Sequence, residues 1–267
     1  MATRRNGSRA SATELPLDVR LMNGVAALVF ALAALALLYA AVKWATRSPV
    51  FTIRALSLDA SLVRTNVASV RANALPRLAG NFFSVDLDAT RAAFESVPWV
   101  RRAVVRRVWP NRLAVTLEEH QPAALWQGLE RGHERLVNSF GEVFEANVGD
   151  VEDEGLPTLA GPDARSAQVL AMLHRLAPAL APLDTPIDTL RLSARGSWRA
   201  ELDSGAVIEL GRGTDDELLA RAERLVRTLP AVASRFGDAP RALVHADLRH
   251  PDGYALRLAG ISTASKP

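Results

Sequence analysis

From Gly24 to Val42 the chain reads GVAALVFALAALALLYAAV, about nineteen residues without a charged side chain. As an α-helix this stretch is roughly 28 Å long, close to the hydrocarbon thickness of one bilayer. A helix that is apolar on every side needs apolar surroundings on every side, and the flanking sequence is too polar to supply them. A secretory h-region is shorter, and no convincing small-x-small cleavage site precedes Lys43. The stretch is read as an uncleaved transmembrane helix over residues 23–43. One span then separates a short segment before it from a long folded region after it.

Basic residues set its direction. Arg4, Arg5, Arg9 and Arg20 precede the span, while Lys43, Arg47 and Arg54 follow it. That is a slim positive-inside margin for a cytoplasmic N-terminus, with the bulk of the chain outside the inner membrane. Tyr39 and Trp44 stand where an interfacial aromatic belt would place them. The small-residue pairs Ala27/Ala31 and Ala36/Ala40 suit close helix approach, but so alanine-rich a helix produces that spacing by chance. Cysteine is absent, which excludes a disulfide framework, thiolate-bound zinc and thiol catalysis. A net charge of +3 is weak support for a polyanionic partner.

Residues 1–22 are polar and read as a cytoplasmic tail. After the span, Phe51 to Ala60 alternates like a strand, and Thr65 to Leu75 is helical in pattern. A Gly80-Asn81 turn follows, then a helix from Leu87 to Val97, with Asp86 as N-cap and Pro98 as its stop. Val100 to Val108 and Leu113 to Glu118 are strand-like runs joined by the turn Trp109-Pro110-Asn111-Arg112. The order β-α-α-β-β makes residues 50–119 a compact α+β module. Residues 120–260 read differently. An acidic loop is expected over Asp150 to Glu154. A helix is expected from Ala164 to Leu176, with Asp163 as N-cap and Val169, Leu173 and Leu176 on its buried stripe. Strands at 189–194, 197–202 and 206–210 form a meander, with turns at Arg195-Gly196 and Asp203-Ser204-Gly205. Thr214 to Glu217 is a capping box, opening a helix that buries Leu218, Ala222, Leu225 and Leu229 and ends at Pro230. A hairpin of residues 242–248 and 254–259 closes the fold, and 261–267 reads as a disordered tail.

Catalytic motifs fail on inspection. His133-Glu134 begins like a zinc-protease helix, but Val137 replaces the second histidine and Gly132 argues against a helix. Gly211-Arg212-Gly213 resembles the start of a dinucleotide loop, yet Asp215, Asp216 and Glu217 would place three negative charges against a pyrophosphate. In a first helical turn those acids serve the dipole instead. No serine stands in a nucleophile elbow, and His120, His133, His174, His245 and His250 show no metal-pairing spacing. Glu118 and Glu119 are adjacent and point to opposite faces of a strand, so they cannot act as a carboxylate pair. The chain is read as non-enzymatic, with no cofactor.

The run from Trp99 to Trp126 resembles the FtsQ/DivIB family of bacterial cell-division proteins. It matches at Trp99, Val100, Ala103, Val105, Arg107, Trp109, Pro110, Leu113, Val115, Leu117, Glu119, Pro122, Ala124 and Trp126. Further matches fall in the family's order. They are Leu136-Val137-Asn138 with Gly141, Val143 and Phe144; Leu156-Pro157 with Gly161-Pro162; Ser197-Trp198; Leu210-Gly211-Arg212; and Asp247-Leu248-Arg249 with Gly253. The resemblance implies a single transmembrane helix, a POTRA domain and a C-terminal β-domain with a mixed sheet and flanking helices. It implies a divisome scaffold of the inner membrane, enriched at the septum, that binds FtsB and FtsL through the β-domain and helps control septal peptidoglycan synthesis. Other divisome proteins would meet the POTRA domain and the span.

A terminal hairpin can leave an edge strand open to β-augmentation. The candidate surface is His250, Gly253, Tyr254, Leu256 and Leu258, with Arg224 of the preceding helix as charged partner. Family members commonly carry an aromatic residue at the position of His250 and often a tryptophan at that of Leu258, which shifts weight onto Tyr254 here. A POTRA-bearing factor delivering polypeptides to the outer membrane would need amphipathic barrel strands, for which nothing after Leu258 leaves room. A membrane-anchored hydrolase lacks its motifs. WVRRAVVRRVWPNRL (99–113), with five arginines between aromatics, resembles a nucleic-acid surface, but an exported segment meets no genome. Ala103, Val105, Trp109 and Pro110 are expected to pack the module. Arg102 and Arg106, sharing the other face with Val100, Val104 and Val108, are expected to be solvated or to face a protein or a lipid headgroup.

Overall fold

The computed structural model describes residues 17–48, 51–53, 55–59, 63–65, 70, 81–128, 134–236, 243–250 and 253–260. The 261–267 tail, most of the 1–22 tail, Arg54, most of the helix expected over 65–75, Gly80, His133 and Pro251-Asp252 lie outside the described residues. Helix α1 runs from Leu17 to Arg47, 31 residues, and none of its apolar stretch is buried in the protein. It extends past the expected 23–43 because the polar flanks carry no breaker before Ser48-Pro49. Asp18 in its first turn favours the positive end of the dipole.

After α1 comes a sheet of three strands in the order β1-β3-β2. Strand β1 (Ala55–Asp59) lies parallel to β3 (Arg112–Glu119), and β3 is antiparallel to β2 (Val100–Val108). The strand expected from Phe51 starts at Ala55, Phe51 lying in a short turn ahead of it. Helix α2 (Leu87–Glu95) starts where Asp86 accepts hydrogen bonds from the N–H groups of Asp88 and Ala89. It closes at Ser96, two residues before the proline that cannot continue it. Val70, Phe94, Val97, Val100, Ala103, Val115 and Leu117 form the core. Two expectations are corrected. A bulge between Val100 and Arg102 turns Val100 inward with Ala103 rather than outward with Arg102. Trp109 packs nothing: it is 75% exposed at the hairpin tip, while Pro110 beside it is half-buried.

The second sheet has nine strands in the order β12-β11-β10-β9-β8-β7-β4-β5-β6. They are β4 (Pro122–Gly128), β5 (Arg135–Asn138), β6 (Val143–Phe144), β7 (Thr158–Gly161), β8 (Ile187–Leu192), β9 (Trp198–Leu202), β10 (Val207–Gly211), β11 (Leu243–Asp247) and β12 (Ala255–Leu258). The pairs β4–β7, β7–β8 and β10–β11 are parallel and the others antiparallel, so the sheet is mixed. Helices α3 (Ser166–Leu180) and α4 (Asp215–Ala233) bury Val169, Leu176, Leu218, Ala222 and Leu225 in one core with Trp126, Leu190, Trp198 and Ile208. Arg199 and Glu209, 3.2 Å apart, pair across β9 and β10.

Local details depart from expectation for local reasons. Asp163 does not cap α3; it sits in a single tight turn before it and takes hydrogen bonds from Trp126 Nε1 (2.8 Å) and Arg135. Two donors at one carboxylate outcompete a helix N-terminus. The acidic run is no open loop but a 3₁₀ helix, Val148–Glu154, because Val151 is buried beneath it. The capping box of α4 forms, with Thr214 Oγ1 and Glu217 exchanging bonds with each other's backbone. The helix continues through Pro230 to Ala233, since a proline near the end forfeits one bond and the N–H of Ser234 still closes on the Pro230 carbonyl.

Candidate functional site

Strand β12 is an edge. It pairs with β11 on one side, Ala246 opposite Leu256 and Asp247 opposite Ala255, and among the described residues it has no neighbour on the other. Strand β11 is held in turn by parallel pairing to β10, with Ile208 opposite Ala246. The register of the edge therefore depends on the last residues of β10 and β11, and two sequence marks meet there. Gly211 adopts a positive φ of +80°, and a Cβ on it would stand 2.9 Å from Arg249 Cγ. Arg249 crosses this glycine to grip Asp247, with Nε 2.8 Å from Oδ1 and Nη2 2.6 Å from Oδ2. Leu248 N–H donates to the Glu209 carbonyl at 2.8 Å and closes the corner. The Arg249 guanidinium holds the Asp247 carboxyl at about 2, well below its usual range.

Helix α4 supports the same edge from one face. Tyr254 and Leu256 are half-buried and pack against the core that α4 covers. The Tyr254 hydroxyl shares a short hydrogen bond with Thr228 Oγ1, which also donates to the Arg224 carbonyl at 2.7 Å. Tyr254 and the turn of α4 bearing Arg224 are thus joined. Thr228 itself was not singled out, although its position one turn beyond Arg224 is the signal that could have found it. His250 is exposed and Gly253 half-buried at the turn end of the hairpin. Leu258 differs from its companions: at 5% exposure it belongs to the interior and supports the edge from beneath. The site offers backbone groups, one aromatic and aliphatic surface. Among the described residues no three His, Cys, Asp or Glu side chains stand together to hold a metal ion.

A second constellation joins the two sheets. Trp99 Nε1 donates to Asp150 Oδ2 at 3.0 Å, and its ring meets Phe144 edge-on at 5.5 Å. Arg101 of β2 bridges Glu118 (2.7 Å) and Glu142 (2.7 Å) and lies over the Phe140 ring. His120 stacks on Phe144 at 4.0 Å, and Asn138 Nδ2 stands 2.9 Å from its Nδ1. The Asn138 amide also donates to Glu142, so Nδ1 accepts and the imidazole proton resides on Nε2. Burial pushes His120 below its usual value, which agrees with a neutral ring. Burial also pulls Glu119 upward, but hydrogen bonds from residues 63–65 (Thr65 N at 2.6 Å) prevail and leave it a carboxylate. Arg107 donates to the Val85 carbonyl at 2.6 Å. Most residues of the 99–126 run are therefore accounted for as core or joint.

The comparisons with known proteins agree with this architecture. The family model "POTRA domain, FtsQ-type" matches residues 51–120, and "Cell division protein FtsQ/DivIB, C-terminal" matches 124–249. The chain is 41% identical over 250 residues to the cell division protein FtsQ of Thiomonas arsenitoxydans, covering 93% of this chain and 90% of that one. It is 41% identical over 245 residues to FtsQ of Burkholderia pseudomallei (91% and 94% covered). To FtsQ of Bordetella pertussis it is 39% identical over 259 residues (91% and 92%). With an apolar helix, an FtsQ-type POTRA domain and the nine-stranded sheet in this order, the chain belongs to the FtsQ/DivIB family of cell-division proteins.

Proposed function

We propose that the chain is a non-enzymatic scaffold of the divisome, with its N-terminus in the cytoplasm, α1 across the inner membrane and the rest in the periplasm at the septum. In this reading residues 1–22 are the tail, 23–43 the span, 50–119 the POTRA domain and 120–260 the β-domain. The observation that carries the proposal is the unpartnered β12 edge, four residues long and flanked by Tyr254. A segment of FtsB adds to this edge as a further strand, with FtsL in the same complex, and the assembly helps control septal peptidoglycan synthesis. Backbone pairing supplies register, while Tyr254, Leu256, Gly253 and His250 supply the contact surface. Arg224 stands as the charged contact on α4, and Leu258 holds the strand from below.

Titration of the full chain in detergent with the periplasmic segment of FtsB tests this. Tyr254→Ala is expected to weaken binding about 30-fold or more, the range of an interface hot spot. Arg224→Ala is expected to weaken it severalfold. Unchanged affinity in Tyr254→Ala and Leu256→Ala variants that unfold like the wild type overturns the site. Depletion in the host is expected to produce filaments, and a tagged copy is expected at the septum; normal division with a dispersed copy overturns the function.

A further inference from the structure

Among the described residues nothing covers Trp109, the most exposed large hydrophobic residue of the 99–126 run. Trp109 caps the β2–β3 hairpin at 75% exposure, Val108 before it is 43% exposed, and Arg106 and Arg112 on either side are exposed too. Neither arginine has an ion-pair partner among the described residues. A large indole in water beside unpaired cations costs free energy and contributes nothing to the core.

The position of this tip follows from a chain of contacts. The last carbonyls of α1, on Ala45 and Thr46, accept hydrogen bonds from Asn81 Nδ2 at 3.1 and 2.6 Å. Phe82 N–H donates to the Phe51 carbonyl at 2.9 Å, and the Phe51 ring meets Trp44 and Phe83 edge-on. Val85 N–H returns to the Asn81 carbonyl at 2.8 Å. Arg107, two residues from the tip, donates to the Val85 carbonyl. On the other strand Arg112 pairs with Ala55, where β1 begins just after Phe51. The hairpin tip is therefore at the same end of its sheet as the end of α1. Trp44 (65% exposed) and Phe83 (48% exposed) lie at that end as well.

We propose that this tip is a second membrane contact, in which Trp109 and Val108 enter the headgroup layer of the bilayer that α1 crosses and Arg106 and Arg112 meet the phosphates of anionic lipids. The proposal rests on α1 spanning that bilayer. Continuity with α1 names the occupant, because any surface at this end already faces the membrane. The composition agrees: tryptophan is amphipathic and settles at the interface, and arginine extends its charge to headgroups while its stem stays on apolar surface. With α1 and the tip both engaged, the POTRA domain is held by two points and its tilt against the membrane is restricted. The joint through Trp99 and Arg101 then passes that orientation to the nine-stranded sheet and to the β12 edge.

The chain has no cysteine, so single spin labels are introduced cleanly. Full-length Asn111→Cys, Ala33→Cys and Ser204→Cys are labelled in vesicles of phosphatidylcholine with and without phosphatidylglycerol. Collision with oxygen and with an aqueous nickel complex then reads depth. The label at 33 is expected in the hydrocarbon, that at 204 in water, and that at 111 at headgroup depth in the anionic vesicles. Adding Arg106→Gln and Arg112→Gln is expected to lower the docked-to-free ratio of the tip about 30-fold, the factor for ~1 kcal/mol per arginine near an anionic surface. Trp109→Ala is expected to release the tip while leaving thermal unfolding unchanged. A label at 111 as water-accessible as that at 204, with 33 still protected, overturns the proposal and assigns the tip to a protein partner. An unprotected label at 33 overturns the span and this proposal together.

Discussion

Two of the sheet edges among the described residues, β2 and β12, are built in opposite ways. Strand β2 is nine residues long and pairs only with β3 among the described residues; it carries Arg102, Arg106 and Arg107 along its exposed length. Strand β12 is four residues long, with Ala255 and Leu256 next to the turn from β11 and Tyr254 beside them. A long flat edge recruits other strands unless charge prevents it, because each added strand would bury the arginines without partners. A short edge needs no such protection, and at β12 none is present except Arg257. Length and charge thus close one edge and leave the other open to a chosen segment. The faces at the two edges differ as well: Tyr254 and Leu256 at the β12 edge pack toward the core under α4, while Val104 on the outer face of β2 is exposed.

The largest expected effect tests that difference in support. Leu225 is fully buried on the stripe of α4 that underlies the C-terminal edge. Leu225→Ala is expected to destabilise the fold by about 3 kcal/mol, through lost burial and the cavity left behind. Val104→Ala on β2, at a residue 47% exposed, is expected to cost no more than about 0.5 kcal/mol. Urea unfolding of the two variants measures both, and equal losses would erase the contrast.

Next in size is the corner that registers β12. Gly211→Ala places a methyl where φ is +80° and Arg249 Cγ is 2.9 Å away, so both the backbone and the Asp247–Arg249 grip must give. A loss of about 2 kcal/mol is expected, with a faster amide exchange of β11 and β12 than of β1 to β3. Uniform exchange in this variant would show that the corner does not govern the edge.

Much of this was legible in residue order, and what was missed has a physical pattern. The capping box at Thr214, the Asp86 cap, the meander and both hairpins depend on neighbours within a few residues, so local chemistry reveals them. The errors arose where a distant group competed. Asp163 looked like a cap until Trp126 and Arg135, far off in sequence, claimed its oxygens. Val100 followed strand alternation until a bulge shifted it, and Pro230 looked like a stop until the next turn of helix closed around it. Trp109 reads as a packed residue in the sequence, where an interior position and an exposed hairpin tip look alike. At the candidate edge the strand and Tyr254 are visible and Thr228 is signalled by its place one turn beyond Arg224, but the burial of Leu258 depends on packing no pattern encodes.

A smaller effect on stability, with a qualitative readout, tests the protected edge directly. Arg102→Thr with Arg106→Thr removes two exposed charges from β2 and leaves good strand formers. Unfolding free energy is expected to change by less than about 0.5 kcal/mol. Self-association in detergent, followed by sedimentation velocity, is expected to rise, since the edge is no longer blocked. Arg257→Thr on β12 is expected to leave the monomer unchanged, because four residues offer too little to pair with a copy. If the β2 double variant also stays monomeric, the arginines are not what protects this edge.

The smallest effect separates the edges by acid. Glu142 lies below its usual value of 4.5, at about 2, chiefly through its hydrogen bonds to Arg101 of β2. Asp247 lies below its usual 3.8, also at about 2, chiefly through Arg249. Both pKa values are depressed on folding, so each carboxylate contributes its full stability above the unfolded value and loses it as pH falls toward 2. Thermal midpoints are expected to fall slightly below pH 6.5 through His120 and to decline further below about 4.5 as the carboxylates are protonated. The decline is shallow, since the Glu142 side chain is 49% exposed and water screens the pair. Asp247 is less open, at 15%, and holds the register of β11 against β10, so Asp247→Asn is expected to remove more of the acid slope than Glu142→Gln. His120 adds to the decline: burial lowers its pKa, so as pH falls below the ordinary 6.5 the proton binds the unfolded chain more readily than the folded one. If Glu142→Gln removes the larger part of the slope, the joint between the sheets, and not the C-terminal corner, is the acid-sensitive element of the fold.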